Sequence, residues 1–191
     1  MALRSEIRAY DPQWPTMFEA ERKLIRDRLG DMVVAVHHVG STSIRGMKAK
    51  PEIDLLIIVR NISEIHAINS GMTELRYTVR GDCGIEGRYY YSKDADSRRT
   101  HKAHVCEAQH SNVGRQLAFR DYLRDHPDVA RDYEALKSRL AGANAQGIAE
   151  YLEGKRPFID RVIEKAFAED YPRPDPQPSV EPNGASPSRL S

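Results

Sequence analysis

Cysteine is scarce, with only Cys83 and Cys106 in 191 residues. Two thiols outside any C-x-x-C spacing make neither a disulfide framework nor a zinc cluster, so reduced cysteines in a cytoplasmic protein are the expectation. Long apolar runs are missing too. The longest, around residues 55–59, falls far short of the roughly 20 residues a bilayer crossing needs. The opening Met1-Ala2-Leu3-Arg4-Ser5-Glu6 lacks the apolar core of a secretory leader. Nor is there an excess of one charge: Lys+Arg 29 stands against Asp+Glu 28, for a net +1. General nucleic-acid binding rests on a large positive surplus, so it is not expected, nor is a membrane partner. A local basic pocket for phosphate remains compatible with this balance.

What is present suits a folded domain, with 40% hydrophobic and 30% charged residues. A core of α/β type is expected over 1–110 and a helical subdomain over 111–168. A proline-rich tail, 169–191, has too little apolar surface to fold and is expected to be disordered. Short β-rich runs separated by turn residues predict strands at 33–39, 53–59, 77–80, 88–92 and 102–107. Phe18, Leu24, Ile25 and Leu29 form an apolar stripe that predicts a helix over 14–29, and Ile65, Ile68 and Met72 predict another within 63–75. In the second half, Asn112 is the expected N-cap of a helix reaching Arg124. His126-Pro127 breaks it, and Asp128 is expected to cap the next. A last helix spans about 145–167, with Ile148, Tyr151, Leu152, Phe158, Ile159, Val162 and Ile163 as its core positions and a kink or break at Pro157.

Chemistry concentrates in His38-Val39-Gly40-Ser41-Thr42-Ser43 and Lys50-Pro51-Glu52-Ile53-Asp54. A strand ending at Val39 hands over to a small pair, Gly40-Ser41, where backbone and hydroxyl can approach a ligand closely. Strand alternation puts Glu52 and Asp54 on one face. Two carboxylates side by side repel unless a cation joins them, and Mg²⁺ takes such oxygen ligands together with substrate phosphates. The alternatives are a buried Asp54–Arg88 ion pair, a solvated Glu52, and Ser41 as a helix N-cap. On 102–107, alternation separates His104 and Cys106 from Val105 and Glu107, and the His104 face is expected to meet the acids. His104 then serves as ligand or proton-transfer group, or else as a satisfied core histidine. Arg88 and Lys93 flank Tyr89-Tyr90-Tyr91, readable as a nucleotide pocket or as an ordinary edge strand. Arg120, Lys137 and Lys155 either close over a phosphate chain or form solvated helix faces. His37-His38 reads as strand packing rather than a metal site.

A Gly-Ser pair followed a dozen residues later by acid–apolar–acid resembles the nucleotidyltransferase superfamily signature. The longer string Val39-Gly40-Ser41-Thr42-Ser43, Gly46, Ala49-Lys50-Pro51 and Ile53-Asp54 resembles the GrpB branch of it. So do Tyr10-Asp11, Trp14 and Phe18; Gly81 with Gly84 through Arg88, Tyr90 and Lys93; Arg99-Thr100-His101 and His104-Val105; and Phe119-Arg120-Asp121-Tyr122-Leu123, Tyr133, Lys137, Tyr151 and Lys155. Together these cover about residues 8–167. Three features depart from the pattern. Glu52 stands where the family usually has an apolar residue. A third catalytic acid is not evident, Glu107 being a candidate. His101-Lys102 stands where the family often has two adjacent histidines. A related segment also occurs fused to some dephospho-CoA kinases.

The resemblance implies a mixed, largely antiparallel sheet with flanking helices, followed by a helical bundle over the site. It implies transfer of a nucleotidyl group from a nucleoside triphosphate to a small-molecule acceptor, with Mg²⁺ on Glu52 and Asp54. Gly40, Ser41, Thr42, Lys50, Arg88, Tyr90, Lys93 and Arg120 would hold the substrate and its phosphates. The alternative is a nucleotide- or coenzyme-binding module without turnover, since fold alone does not fix chemistry.

Overall fold

A computed structural model describes residues 7–96, 98–143 and 147–172. Its centre is a five-stranded mixed sheet of order β1-β2-β5-β4-β3, formed by β1 (Val33–Val39), β2 (Ile53–Val59), β3 (Thr78–Val79), β4 (Arg88–Ala95) and β5 (Arg98–Glu107). β2 runs parallel to β5, and the other neighbouring pairs are antiparallel. β2 is central and buried on both faces, which is why its sequence reads as one unbroken apolar run after Asp54. Ile53, Leu55, Ile57 and Val59 enter one core. Leu56 and Ile58 enter another with Val39, Cys106 and Val113. Burying each of these side chains contributes about 1.5–3 kcal/mol.

The first core is covered by α1 (Trp14–Leu29) and α2 (Ile65–Glu74). Trp14, Phe18, Ile25 and Leu29 point inward as a helical stripe, but Leu24 lies off that stripe and is exposed; Glu21 takes an inward position instead. A buried carboxylate must be paired, and Lys93 of β4 supplies the partner at 2.8 Å. His38 packs as strand packing predicts, with its ring stacked on Phe18.

The second face carries α3 (Ser111–Asp125), α4 (Pro127–Ala143) and α5 (Ile148–Ala168). Several local expectations change here. α3 starts two residues early because His110, not Asn112, is the N-cap, its ring Nδ1 accepting from the Asn112 amide at 3.1 Å. α4 opens on Pro127, whose missing N–H costs nothing at a first helical position, so Asp128 lies in the first turn rather than at the cap. α5 continues through Pro157 without a break. Ile148 and Leu152, expected in the core, are exposed at 38% and 50% and border the cleft described below. Tyr171 is not part of a disordered tail: it is buried beside Tyr122, and its hydroxyl donates to Asp125 at 2.7 Å. The remaining tail, from residue 173, lies outside the described residues. Cys83 is exposed and Cys106 buried, both as free thiols. Among the described residues no helix is long and apolar enough to cross a membrane.

Candidate functional site

The site starts where β1 ends. Gly40 adopts φ 70 and ψ −173, a region essentially restricted to glycine. Its bare Cα faces the Asp54 side chain so closely that an added Cβ would lie 2.3 Å from Asp54 Oδ2. Gly40 is therefore required both by its dihedrals and by the carboxylate beside it. The 3₁₀ turn Ser41–Ser43 follows, closed by the Ser43 hydroxyl donating to the Gly40 carbonyl at 2.6 Å. Ser41 is not an N-cap; its Oγ accepts from Lys137 Nζ at 2.9 Å. Thr42 is buried, bonding His38 Nε2 at 3.0 Å and donating to the Glu52 carbonyl at 3.2 Å. Thr42 thus ties the turn to the acid strand and has no hydroxyl left for a phosphate.

Glu52 and Asp54 border the same cleft. No hydrogen bond or ion pair joins Asp54 to Arg88, whose guanidinium instead donates to the Asp82 carbonyl at 3.1 Å. Burial raises the Asp54 pKa above the usual carboxylate range, opposed first by the Lys102 ammonium and reinforced by Glu52. Lys102 lies opposite Asp54 in the parallel β2–β5 register. Its ammonium is in ion-pair contact with Glu52 Oε2. Burial works against the Lys102 charge, but Asp54 and then Glu52 outweigh it and raise its pKa to about 12. The cation beside the acid pair is therefore a side chain. Among the described residues no group of three His, Cys, Asp or Glu side chains is arranged to hold a metal. With Lys102 in place, the donor set does not fit a Mg²⁺ held by Glu52 and Asp54.

β5 continues this face with His104, two residues on from Lys102, as alternation predicts. Burial, Arg88 and Lys102 lower its pKa to about 3, so the ring is neutral, and its Nδ1 is buried with no hydrogen-bond partner among the described residues. Tyr90 stacks on it with centroids 5.2 Å apart, while the Tyr90 hydroxyl accepts from Arg99 at 3.2 Å. Arg88 and Tyr90 border the cleft. Lys93 does not join them: it projects to the opposite face, onto Glu21. Glu107 supplies no third acid, since it also faces away and accepts from the Ile62 amide at 2.8 Å.

The helical half holds the turn in place as well as covering it. Arg124 donates to the Ser43 carbonyl at 3.1 Å, and Lys137 to the Lys48 carbonyl at 2.8 Å. Ile44 and Met47 pack on Leu123 and Tyr133. Arg120 borders the cleft but is engaged by Asp121 at 2.6 Å and by the His38 carbonyl at 3.4 Å. Lys50 and Lys155 lie over the Tyr151 ring at 5.3 and 4.4 Å. Burial and Lys102 lower the Lys155 pKa to about 8, and burial and Lys155 do the same to Lys137. The cleft enclosed by these elements measures about 1310 Å³ and is bordered by eight Lys or Arg residues against three acids.

The structure thus brings together Gly40, Ser41, Lys50, Glu52, Asp54, Arg88, Tyr90, His104 and Arg120. It places Thr42 behind the turn and Lys93 on the far side of the sheet. Lys102 and Arg99 border the cleft too, although the sequence reading gave neither a role in the site.

A family model described as GrpB protein matches residues 4–165. The chain belongs to the GrpB family. It is 40% identical over 161 residues to UPF0157 protein YqkA of Bacillus subtilis (strain 168), covering 84% of this chain but 47% of YqkA, so it spans about half the length of that relative. The crystal structure of conserved protein GrpB from Enterococcus faecalis superposes with a TM-score of 0.80 at 33% identity, covering 86% of this chain and 98% of that one. More distantly, a dephospho-CoA kinase of Mycolicibacterium paratuberculosis is 25% identical over 183 residues, covering 82% of this GrpB-family chain and 44% of the kinase.

Proposed function

We propose that this GrpB-family protein binds a nucleotide or nucleotide-containing coenzyme through its phosphate chain. One observation carries the reading: Gly40-Ser41 and Asp54 converge on a cleft whose border is strongly cationic, eight Lys or Arg against three acids, in a chain of net charge +1. Such a concentration of charge on an otherwise balanced surface selects an anionic ligand. The Ser41 hydroxyl with Lys137 at one end, and Lys50, Lys155 and Arg88 around it, would contact phosphate oxygens. Tyr90, stacked on a neutral His104, offers a flat partner for a base. The likeness to a dephospho-CoA kinase is in keeping with a phosphorylated coenzyme as ligand.

The test is thermal denaturation against ATP, GTP, CTP, UTP and coenzyme A, each in EDTA and in Mg²⁺. A ligand at 100 times its Kd stabilises the fold by about 2.7 kcal/mol. At least one member of the panel raises Tm, and Lys155→Ala reduces the rise. No response to any of them, with or without metal, ends the reading.

A second reading, nucleotidyl transfer to a small acceptor, is favoured by Asp54 specifically. Its carboxylate borders the cleft with no hydrogen bond or ion pair to another described residue, and burial raises its proton affinity. In that reading Asp54 accepts the proton of the acceptor hydroxyl while Ser41 and Lys137 orient the phosphates. Release of pyrophosphate from a triphosphate, lost in Asp54→Asn with nucleotide affinity retained, would establish it.

A further inference from the structure

Lys102 stands at the point where a metal would be needed. It lies across from Asp54 in register and touches Glu52, on the face shared with His104. The pair is largely withdrawn from solvent, the Lys102 and Glu52 side chains being 28% and 16% exposed. A divalent cation entering between the two carboxylates would have to displace an ammonium already neutralising them, into a cleft bordered by seven further Lys or Arg residues. An ammonium carries three N–H donors and no acceptor. It touches Glu52 and borders the same cleft as Ser41, where a phosphate oxygen could accept from it.

From this placement we propose that Lys102 is a built-in counterion: it replaces the divalent metal at the Glu52–Asp54 pair, so that the cleft binds a nucleotide polyphosphate without a metal requirement. The ligand class rests on the nucleotide-binding reading above. The exclusion of metal does not, and it is measured separately.

The first measurement uses Mn²⁺ alone, followed by its paramagnetic resonance signal, on the full chain without nucleotide. Wild type leaves the free-ion signal undiminished. K102Q removes the ammonium and gains a Mn²⁺ site at least about tenfold tighter. K102R, which keeps the charge, gains none, and E52Q/K102Q loses the site that K102Q gained. The second measurement is ATP affinity by calorimetry. Wild type binds equally in EDTA and in Mg²⁺, whereas K102Q binds about tenfold more weakly in EDTA than in Mg²⁺. Equal Mn²⁺ binding by wild type and K102Q overturns the proposal, as does wild-type ATP binding that requires Mg²⁺. The wild-type measurements decide the matter even if K102Q does not fold. Failure of ATP and every other nucleotide to bind sinks the functional reading, while the Mn²⁺ titration still decides the role of Lys102.

Discussion

Replacing Gly40 with alanine tests the contact on which the site depends. A Cβ there would lie 2.3 Å from Asp54 Oδ2 and 2.9 Å from both Asp54 Cβ and Cγ, and the backbone is at φ +70. Two costs therefore add. Holding a non-glycine residue in this backbone region costs about 1–3 kcal/mol. Forcing a methyl against an immobile neighbour costs about 1–3 kcal/mol more. The Asp54 carboxylate belongs to a central strand and cannot retreat far, so about 2–6 kcal/mol of destabilisation is expected. Gly46→Ala is the control: Gly46 is at φ +81, but nothing lies within 4 Å of its added Cβ, so only conformational strain remains, about 1–2 kcal/mol. Urea denaturation of both variants, with unchanged m values, gives the difference. In a D54A background the Gly40→Ala penalty shrinks, because Oδ2 and Cγ are gone and only the 2.9 Å approach to Cβ persists. If Gly40→Ala is no worse than Gly46→Ala, or its penalty is unaltered by D54A, the turn and the acid strand do not meet as described.

Other outcomes follow from the same geometry. Lys93→Met takes the ammonium from the buried Glu21 carboxylate, leaving it His101 at 3.8 Å, and costs about 3–5 kcal/mol in denaturation, while leaving nucleotide affinity of the folded protein unchanged; a selective loss of affinity would return Lys93 to the site. Lys137 and Lys155, both at about 8 in the folded chain, are ammonium ions below that pH and neutral above it, so anion binding weakens as pH rises through about 8 and Lys155→Met flattens the profile. For stability the sign is the reverse: the cost of burying these charges is fully present below about 8 and fades as pH rises toward the ordinary lysine value. Calorimetric affinities that are level from about pH 7 to about pH 9 would contradict this. Thr42→Val removes the hydroxyl between His38 and the Glu52 carbonyl and costs about 1–3 kcal/mol, read by the same denaturation.

Much of the architecture was legible because it is periodic. The limits of α1, β1 and β2 follow from helical and strand spacing with no tertiary information. The failures occur where a residue satisfies a partner that spacing does not reveal. Glu21 displaces Leu24 from the expected stripe because Lys93 waits on a strand 72 positions away. His110 displaces Asn112 as cap through a ring nitrogen, an acceptor absent from the usual set of capping oxygens. Ile148 and Leu152 look like core by type, yet they edge a cleft whose existence depends on how α5 crosses the sheet, which no local pattern encodes.

The two lysines of the β4–β5 hairpin show which site errors were avoidable. Arg88 and Lys93 are five positions apart on one strand, an odd separation, and the only register shift in this pair lies beyond Lys93. Strict alternation therefore puts them on opposite faces, so a single pocket using both was excluded by counting alone. Lys102 and His104 differ by two, so whatever face holds His104 also holds Lys102. Once His104 is placed opposite the acid strand, an ammonium must accompany it, within the reach of a carboxylate pair that needs a cation. Counting along the strand goes no further than that. It does not say that Lys102 aligns with Asp54, because that alignment is set by the parallel β2–β5 register, established across 47 intervening residues. The identity of the cation was thus readable from strand parity, and only its alignment with Asp54 and its contact with Glu52 required the fold.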